Sequence, residues 1–198
     1  MIQLALRHEG QTDLVSILSL LYRLANEVGV DIEILETNIF TTGTSIEKHI
    51  RSTAKNCFDI NPVDMVVYLG DQDINKDYKV RTKCLDILRE LGSAYLDMSV
   101  VGIADRNFEA WLLADENNFR KQLLIKNPEK PLRGTKDPKE CLKIHWGEWE
   151  TNERPLLTET KKILVETMNL DEASRKSKDF KQFREDFHSK LKLIGKSK

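Results

Sequence analysis

The stretch Met65-Val66-Val67-Tyr68-Leu69 is an unbroken apolar run that stops at Gly70-Asp71. Five apolar residues in succession suit a strand covered on both faces, the environment found at the centre of a parallel sheet. Three further segments read as its neighbours: the apolar run over residues 2–7, the alternating Asp31 to Glu36, and Met98 to Ala104. Helical patterns lie between them. Leu14, Ile17, Leu18, Leu21, Leu24, Ala25 and Val28 recur at three- and four-residue spacing, and Gly29 supplies the stop. Thr42-Gly43-Thr44-Ser45 offers N-cap oxygens to a helix running to about Lys55. Val80, Cys84, Leu85, Ile87, Leu88 and Leu91 mark the apolar face of a helix from about Asp77 to Leu91, and Asn107 is placed to cap a helix through Leu113. Four strand-helix units in series predict an α/β fold, with a mainly parallel four-stranded sheet between helices and right-handed crossovers.

Beyond Asp115 the strand signals stop. Asn127-Pro128-Glu129-Lys130-Pro131 and Arg133-Gly134-Thr135-Lys136-Asp137-Pro138 break the chain, and the remainder reads as helices joined by polar connections. This divides one domain into an α/β core, residues 1–115, and a helical C-terminal extension, residues 116–198, packed on that core. A chain of 198 residues, 40% of them hydrophobic, can build a conventional core without disulfide or metal staples. Its apolar runs fall far short of the roughly 20 residues that span a bilayer. The first residues read as a strand and not a signal peptide, so a cytoplasmic location is expected. Cys57, Cys84 and Cys141 are odd in number and widely spaced, which predicts buried reduced thiols.

In open α/β sheets, ligands bind outside the carboxyl ends of the strands. Here Glu9-Gly10 follows the first strand, Asp71-Gln72-Asp73 the third, and Asp105 the fourth, with Glu109 in the next helical turn. Acids gathered at one edge repel each other, and a cluster without basic partners is costly unless a cation is bound. Carboxylate oxygens suit Mg²⁺ or Mn²⁺. Asp71 and Asp73, two apart in extended backbone, point the same way and can share one ion, with Glu9 arriving from a neighbouring strand. An isolated Asp-x-Asp after a strand ordinarily serves as a turn and a helix cap; the joint pattern favours a metal site.

His8-Glu9-Gly10-Gln11-Thr12-Asp13 and Val66-Val67-Tyr68-Leu69-Gly70-Asp71-Gln72-Asp73 together resemble the Toprim (topoisomerase-primase) superfamily. Ala104-Asp105-Arg106-Asn107-Phe108-Glu109-Ala110-Trp111-Leu112-Leu113-Ala114-Asp115, with Pro128-Glu129, Asp137-Pro138-Lys139 and Asp179-Phe180-Lys181-Gln182-Phe183, is similar to a small stand-alone bacterial Toprim-like group near the RloB-type phage-defence proteins and the OLD-type nucleases. The resemblance covers nearly the whole chain. It implies a Toprim-like, Rossmann-like fold. It implies that Glu9 is a general acid/base or metal ligand, that Asp71 and Asp73 hold Mg²⁺ or Mn²⁺, and that Glu109 completes a second metal position. The implied activity is nuclease cleavage of DNA or RNA, transfer RNA included, in anti-phage defence, with an ATPase as a possible partner. Where topoisomerase-type members often carry a third acid, this chain has Asn75, which speaks against strand passing and primase chemistry.

Lys76, Lys79 and Lys139 are candidates for contact with nucleic acid, although such lysines are more often simply solvated. Trp111, Trp146 and Trp149 are better read as packing groups than as base-stacking platforms, and His8 as a core group or a neighbour of the site. No P-loop and no nucleophile elbow occur. The whole-chain charge is −1, yet residues 174–198 carry nine basic residues against three acidic ones. That tail could neutralise phosphates, while Phe180, Phe183, Phe187, Leu191 and Ile194 form a docking face at helical spacing. The rival to a nuclease is a non-catalytic module of an ATPase-containing defence complex. A phosphatase using Asp71 as phosphoryl acceptor ranks last, because its acid pair would be expected on the first strand.

Overall fold

The computed structural model describes residues 1–39, 46–60, 62–72, 80–125, 127, 131–148 and 155–197. Strands β1 (Ile2–His8), β2 (Ile32–Ile39), β3 (Met65–Gln72) and β4 (Ser99–Asp105) form one sheet in the order β2-β1-β3-β4. Every neighbouring pair is parallel. The architecture is thus the expected four-stranded parallel sheet between helices.

Both faces of the sheet are covered, which explains the continuous apolar run in β3. Met65, Val67 and Leu69 enter one core with Leu4 and Leu6, beneath Ile17, Leu20, Leu21 and Leu24 of α1 (Leu14–Glu27). Val66 and Tyr68 enter the other with Ala5, beneath Ile50 of α2 (Ile46–Lys55) and Cys84, Ile87 and Leu88 of α3 (Val80–Leu91). This is the period-two alternation of a strand buried on two sides. From β1 the chain crosses on the α1 face to β2, then returns on the α2 face past β1 to β3, so the winding reverses between β1 and β3.

Helix α1 ends as its sequence predicts, with Gly29 at φ 66 and the Val30 N–H returning to the Ala25 carbonyl. A π-helical turn, Asn56–Ile60, prolongs α2, and a short α4 (Ser93–Asp97), unforeseen in the sequence, leads into β4. Asn107 does not cap α5 (Glu109–Ala114): no side-chain cap bond forms, and its amide donates to Asp137 Oδ1 at 3.4 Å. The helix-capping run Thr42 to Ser45 and the helix start at Asp77 lie outside the described residues.

The extension supplies α6 (Glu116–Gln122), α7 (Pro138–Gly147), α8 (Leu157–Thr167), α9 (Leu170–Lys176) and α10 (Lys178–Ser197). Phe180, Phe183, Phe187 and Leu191 of α10 are buried in the same core as β1, β3 and α1, and Ile194 is partly buried against it, so the sequence-predicted docking face is the observed one. All three cysteines are buried, and none forms a disulfide. Trp146 packs as expected, its indole N–H donating to the Pro155 carbonyl at 2.9 Å; Trp149 lies outside the described residues. Among the described residues no helix is long and apolar enough to cross a membrane.

Candidate functional site

The reversal of winding between β1 and β3 opens a crevice at their carboxyl ends, because the connections leaving these neighbours diverge to opposite faces. Glu9 and Asp71 meet there. The Glu9 N–H donates to the Leu69 carbonyl at 3.1 Å, extending the β1–β3 ladder by one residue, and its Oε2 accepts from the Asp71 N–H at 3.1 Å. Gly70, Ala104, Phe108 and Trp111 line the narrow cleft beside them. Glu9 is exposed and Asp71 half-buried.

The surroundings of Asp71 disfavour its charged form. Burial, followed by the Glu9, Glu109 and Asp13 carboxylates, pushes its pKa up to about 8, while Lys139 acts in the opposite direction. Lys139 is exposed in the first turn of α7, where Asp137 Oδ1 accepts from the N–H groups of Lys139 and Glu140 at 3.1 and 3.3 Å. The Asn107–Asp137 bond ties that cap to the β4–α5 turn. Of the sequence-predicted residues, the structure therefore brings Glu9, Asp71, Glu109 and Lys139 to one edge. Asp73, Lys76, Lys79 and Asn75 lie outside the described residues.

The cluster contains a base that the sequence reading missed. Lys161 of α8, 2% exposed, places Nζ 2.5 Å from Asp13 Oδ1 and 2.6 Å from Glu109 Oε1. Burial alone lowers the ammonium pKa, but Glu109 and Asp13 more than reverse this and raise it above the ordinary lysine value. Glu109, 2% exposed, is therefore held in an ion pair. Asp13 reaches the pair from the turn before α1, across Gly10 at φ 85, where a Cβ would stand 2.8 Å from Asp13 Oδ2. That separation is shorter than real Cβ contacts, so the glycine leaves room for the carboxylate.

The rest of the Glu109 to Asp115 motif builds the frame. The Trp111 indole stacks on Phe183, centroids 5.2 Å apart, and donates from Nε1 to Asp179 Oδ2 at 2.6 Å. Asp115 Oδ1 caps α6 by accepting from Asn118 N, and its Oδ2 accepts from Asn169 N at 2.7 Å. Asp105 is exposed, and its own N–H donates to Asp179 Oδ2 at 2.9 Å. His8 is buried, with Nδ1 3.1 Å from the Gly10 carbonyl, and burial lowers its pKa, which makes it a neutral neighbour of the site.

A divalent cation suits this chemistry at one end of the cluster. Glu9 and Asp71 supply hard oxygen donors, and the Asp71 pKa is raised first by burial and then by the neighbouring carboxylates. Among the described residues, no group of three or more His, Cys, Asp or Glu side chains is placed to hold a metal ion.

No family model matches the chain, and no curated protein matches it. Among solved structures, it is similar to the C-terminal region of the Xanthomonas campestris pv. campestris OLD protein, with 11% identity and a TM-score of 0.49 over 98% of this chain and 97% of that one. It is also similar to the C-terminal region of the Burkholderia pseudomallei OLD protein, with 15% identity and a TM-score of 0.41 over 100% and 98% of the two chains.

Proposed function

We propose that this chain is a divalent-metal-dependent nuclease that cleaves phosphodiester bonds in DNA or RNA. The observation that carries this reading is the meeting of Glu9 and Asp71 at the reversal point of a parallel sheet, where burial and neighbouring carboxylates disfavour the charged form of Asp71. Asp71, with Asp73 two residues on, would hold Mg²⁺ or Mn²⁺. A bound ion would polarise a phosphate oxygen and lower the pKa of bound water. Glu9, exposed at the end of β1, is the group free to take up and return a proton. Lys139, exposed beside this edge, draws the phosphate backbone toward carboxylates that would otherwise repel it. An anti-phage setting and an ATPase partner follow from the sequence resemblance.

The test begins with calorimetric titration of Mn²⁺ into wild type and Asp71→Asn, followed by incubation of plasmid, single-stranded DNA and transfer RNA with wild type and Glu9→Gln. Stoichiometric binding lost in Asp71→Asn is expected, with cleavage reduced about 10²- to 10⁴-fold by Glu9→Gln. If wild type binds Mn²⁺ no better than Asp71→Asn, the metal reading fails and a non-catalytic partner module takes its place.

A further inference from the structure

The sheet ends in β2 on one side and β4 on the other, and its two edges are finished differently. The β4 edge is closed. Arg81 of α3 reaches past it, donating from Nε to the Val101 carbonyl at 3.3 Å and pairing with Asp186 of α10 at 2.5 Å, and Asp179 takes the Asp105 N–H. Among the described residues no element but β1 pairs with β2, where Leu35 is 49% exposed and Thr37 and Asn38 are exposed beside it. An open edge of this kind presents backbone groups ready to pair with another strand.

A bulge makes that edge self-complementary. Leu4 pairs with Ile34 and Ala5 with Glu36, so Leu35 is an extra residue. Ile32, Ile34, Thr37 and Ile39 pair with Ile2, Leu4, Leu6 and His8, the residues of β1 on the α1 side of the sheet. Those four positions are symmetric about the midpoint between Leu35 and Glu36. In an unbroken strand, reversal about such a midpoint would set residues of opposite faces against each other; the extra residue removes that conflict.

We propose that two copies of this chain associate through β2, antiparallel about a two-fold axis between Leu35 and Glu36, forming one continuous sheet of both copies. Ile32 then faces Ile39 and Ile34 faces Thr37, like face on like face. The charges suit this register: Glu33 faces Asn38, and Glu36 faces Leu35 while its carboxylate is held by Arg7 at 2.9 Å. Sliding one copy by two residues would set Glu33 against Glu36, which is unfavourable. The axis stands normal to the sheet, so both α1 helices lie on one face. Ser19 and Arg23 of α1 bond to α8 and Glu27 to α10, which leaves Leu18 and Tyr22, at 3.6 residues per turn, on the flank toward β2. That flank is uncharged, and Tyr22 is 44% exposed. A closed two-fold contact requires such self-matching, whereas an extended segment of another protein would not. The proposal does not depend on the metal-centre reading.

The experiment is sedimentation equilibrium of the intact chain and two variants, with circular dichroism to confirm folding. Wild type at high micromolar concentration should give twice the chain mass of 22.9 kDa. Leu35→Glu sets a carboxylate opposite Glu36 at two places and should weaken association at least about tenfold. Leu35→Lys sets an ammonium there and should associate at least as tightly as wild type. A monomeric wild type would overturn the proposal and leave the edge to an extended segment of another protein. A dimer that persists undiminished in folded Leu35→Glu would overturn it in favour of another surface. Leu35→Lys weakened as far as Leu35→Glu would overturn the register and the axis with it. Should one variant fail to fold, the wild-type mass and the other variant decide.

Discussion

The indole N–H of Trp111 donates to Asp179 Oδ2 at 2.6 Å, and the same oxygen accepts the Asp105 N–H at 2.9 Å. One carboxylate oxygen at the start of α10 thereby joins the end of β4 to α5, the helix that carries Glu109. Its other oxygen accepts from Ser177 Oγ at 2.7 Å.

Replacing Asp179 by alanine leaves a buried indole N–H and a strand-end N–H without their acceptor. Hydrogen bonds to charged groups contribute roughly 1.5 to 3 kcal/mol each, so a loss of about 3 to 6 kcal/mol is expected for the two. Urea unfolding gives this directly, and tryptophan emission should shift as the indole is released from its partner.

Gly102 of β4 lies under α10, where a Cβ would stand 2.5 Å from Leu69 Cδ2 and 2.6 Å from Phe183 Cδ2. Gly102→Ala must push the α10 aromatic face off the sheet, and overpacking of this kind costs about 1 to 3 kcal/mol. Thermal melts measure the cost. Phe183→Leu combined with Gly102→Ala should recover part of it, because the smaller side chain relieves the clash.

The folded protein keeps a proton on Asp71 up to about pH 8, against an ordinary value of 3.8, owing first to burial and then to the Glu9, Glu109 and Asp13 carboxylates. The unfolded chain releases that proton near its ordinary value. Metal-free stability should therefore be fullest below about pH 4 and fall as pH rises toward about 8. Urea midpoints across this range test the slope, which Asp71→Asn should flatten. Added Mn²⁺ should stabilise most at the alkaline end, where it does not have to displace the proton.

Lys139 is exposed, so its loss should not disturb folding, and the proposed function gives it a part in binding. Lys139→Gln should leave the melting temperature unchanged and lower affinity for nucleic acid. The logarithmic salt dependence of binding to duplex should become shallower by about 0.9, the value for one lost phosphate contact. Fluorescence anisotropy at several salt concentrations measures both.

The fold was legible because each strand of the sheet is local and its burial is written in its own residues. Met65 to Leu69 is apolar throughout because two layers cover it, and Gly29 stops α1 because the turn needs a positive φ. Glu9 and Asp71 were legible as a pair because strand ends in a parallel sheet share an edge. Lys161 was missed because its bond to Asp13 spans 148 residues, and no spacing rule reaches that far. A local signal did exist: Leu157, Lys161, Leu164 and Val165 lie on one helical stripe, and a lysine inside an apolar stripe asks for a buried acid. Asn107 was misread for a related reason, since its side chain is turned to donate to a residue 30 positions away, Asp137.

The long reach of the Lys161–Asp13 bond also orders events in time. A ribosome releases Glu9, Asp13, Asp71 and Glu109 well before Lys161, and α8 must then dock across α1 before the ammonium can enter the cluster. Until α8 docks, Asp13 and Glu109 lack the ammonium that compensates them in the finished fold. Synthesis from the N-terminus thus supplies this counter-charge after the acids that it compensates.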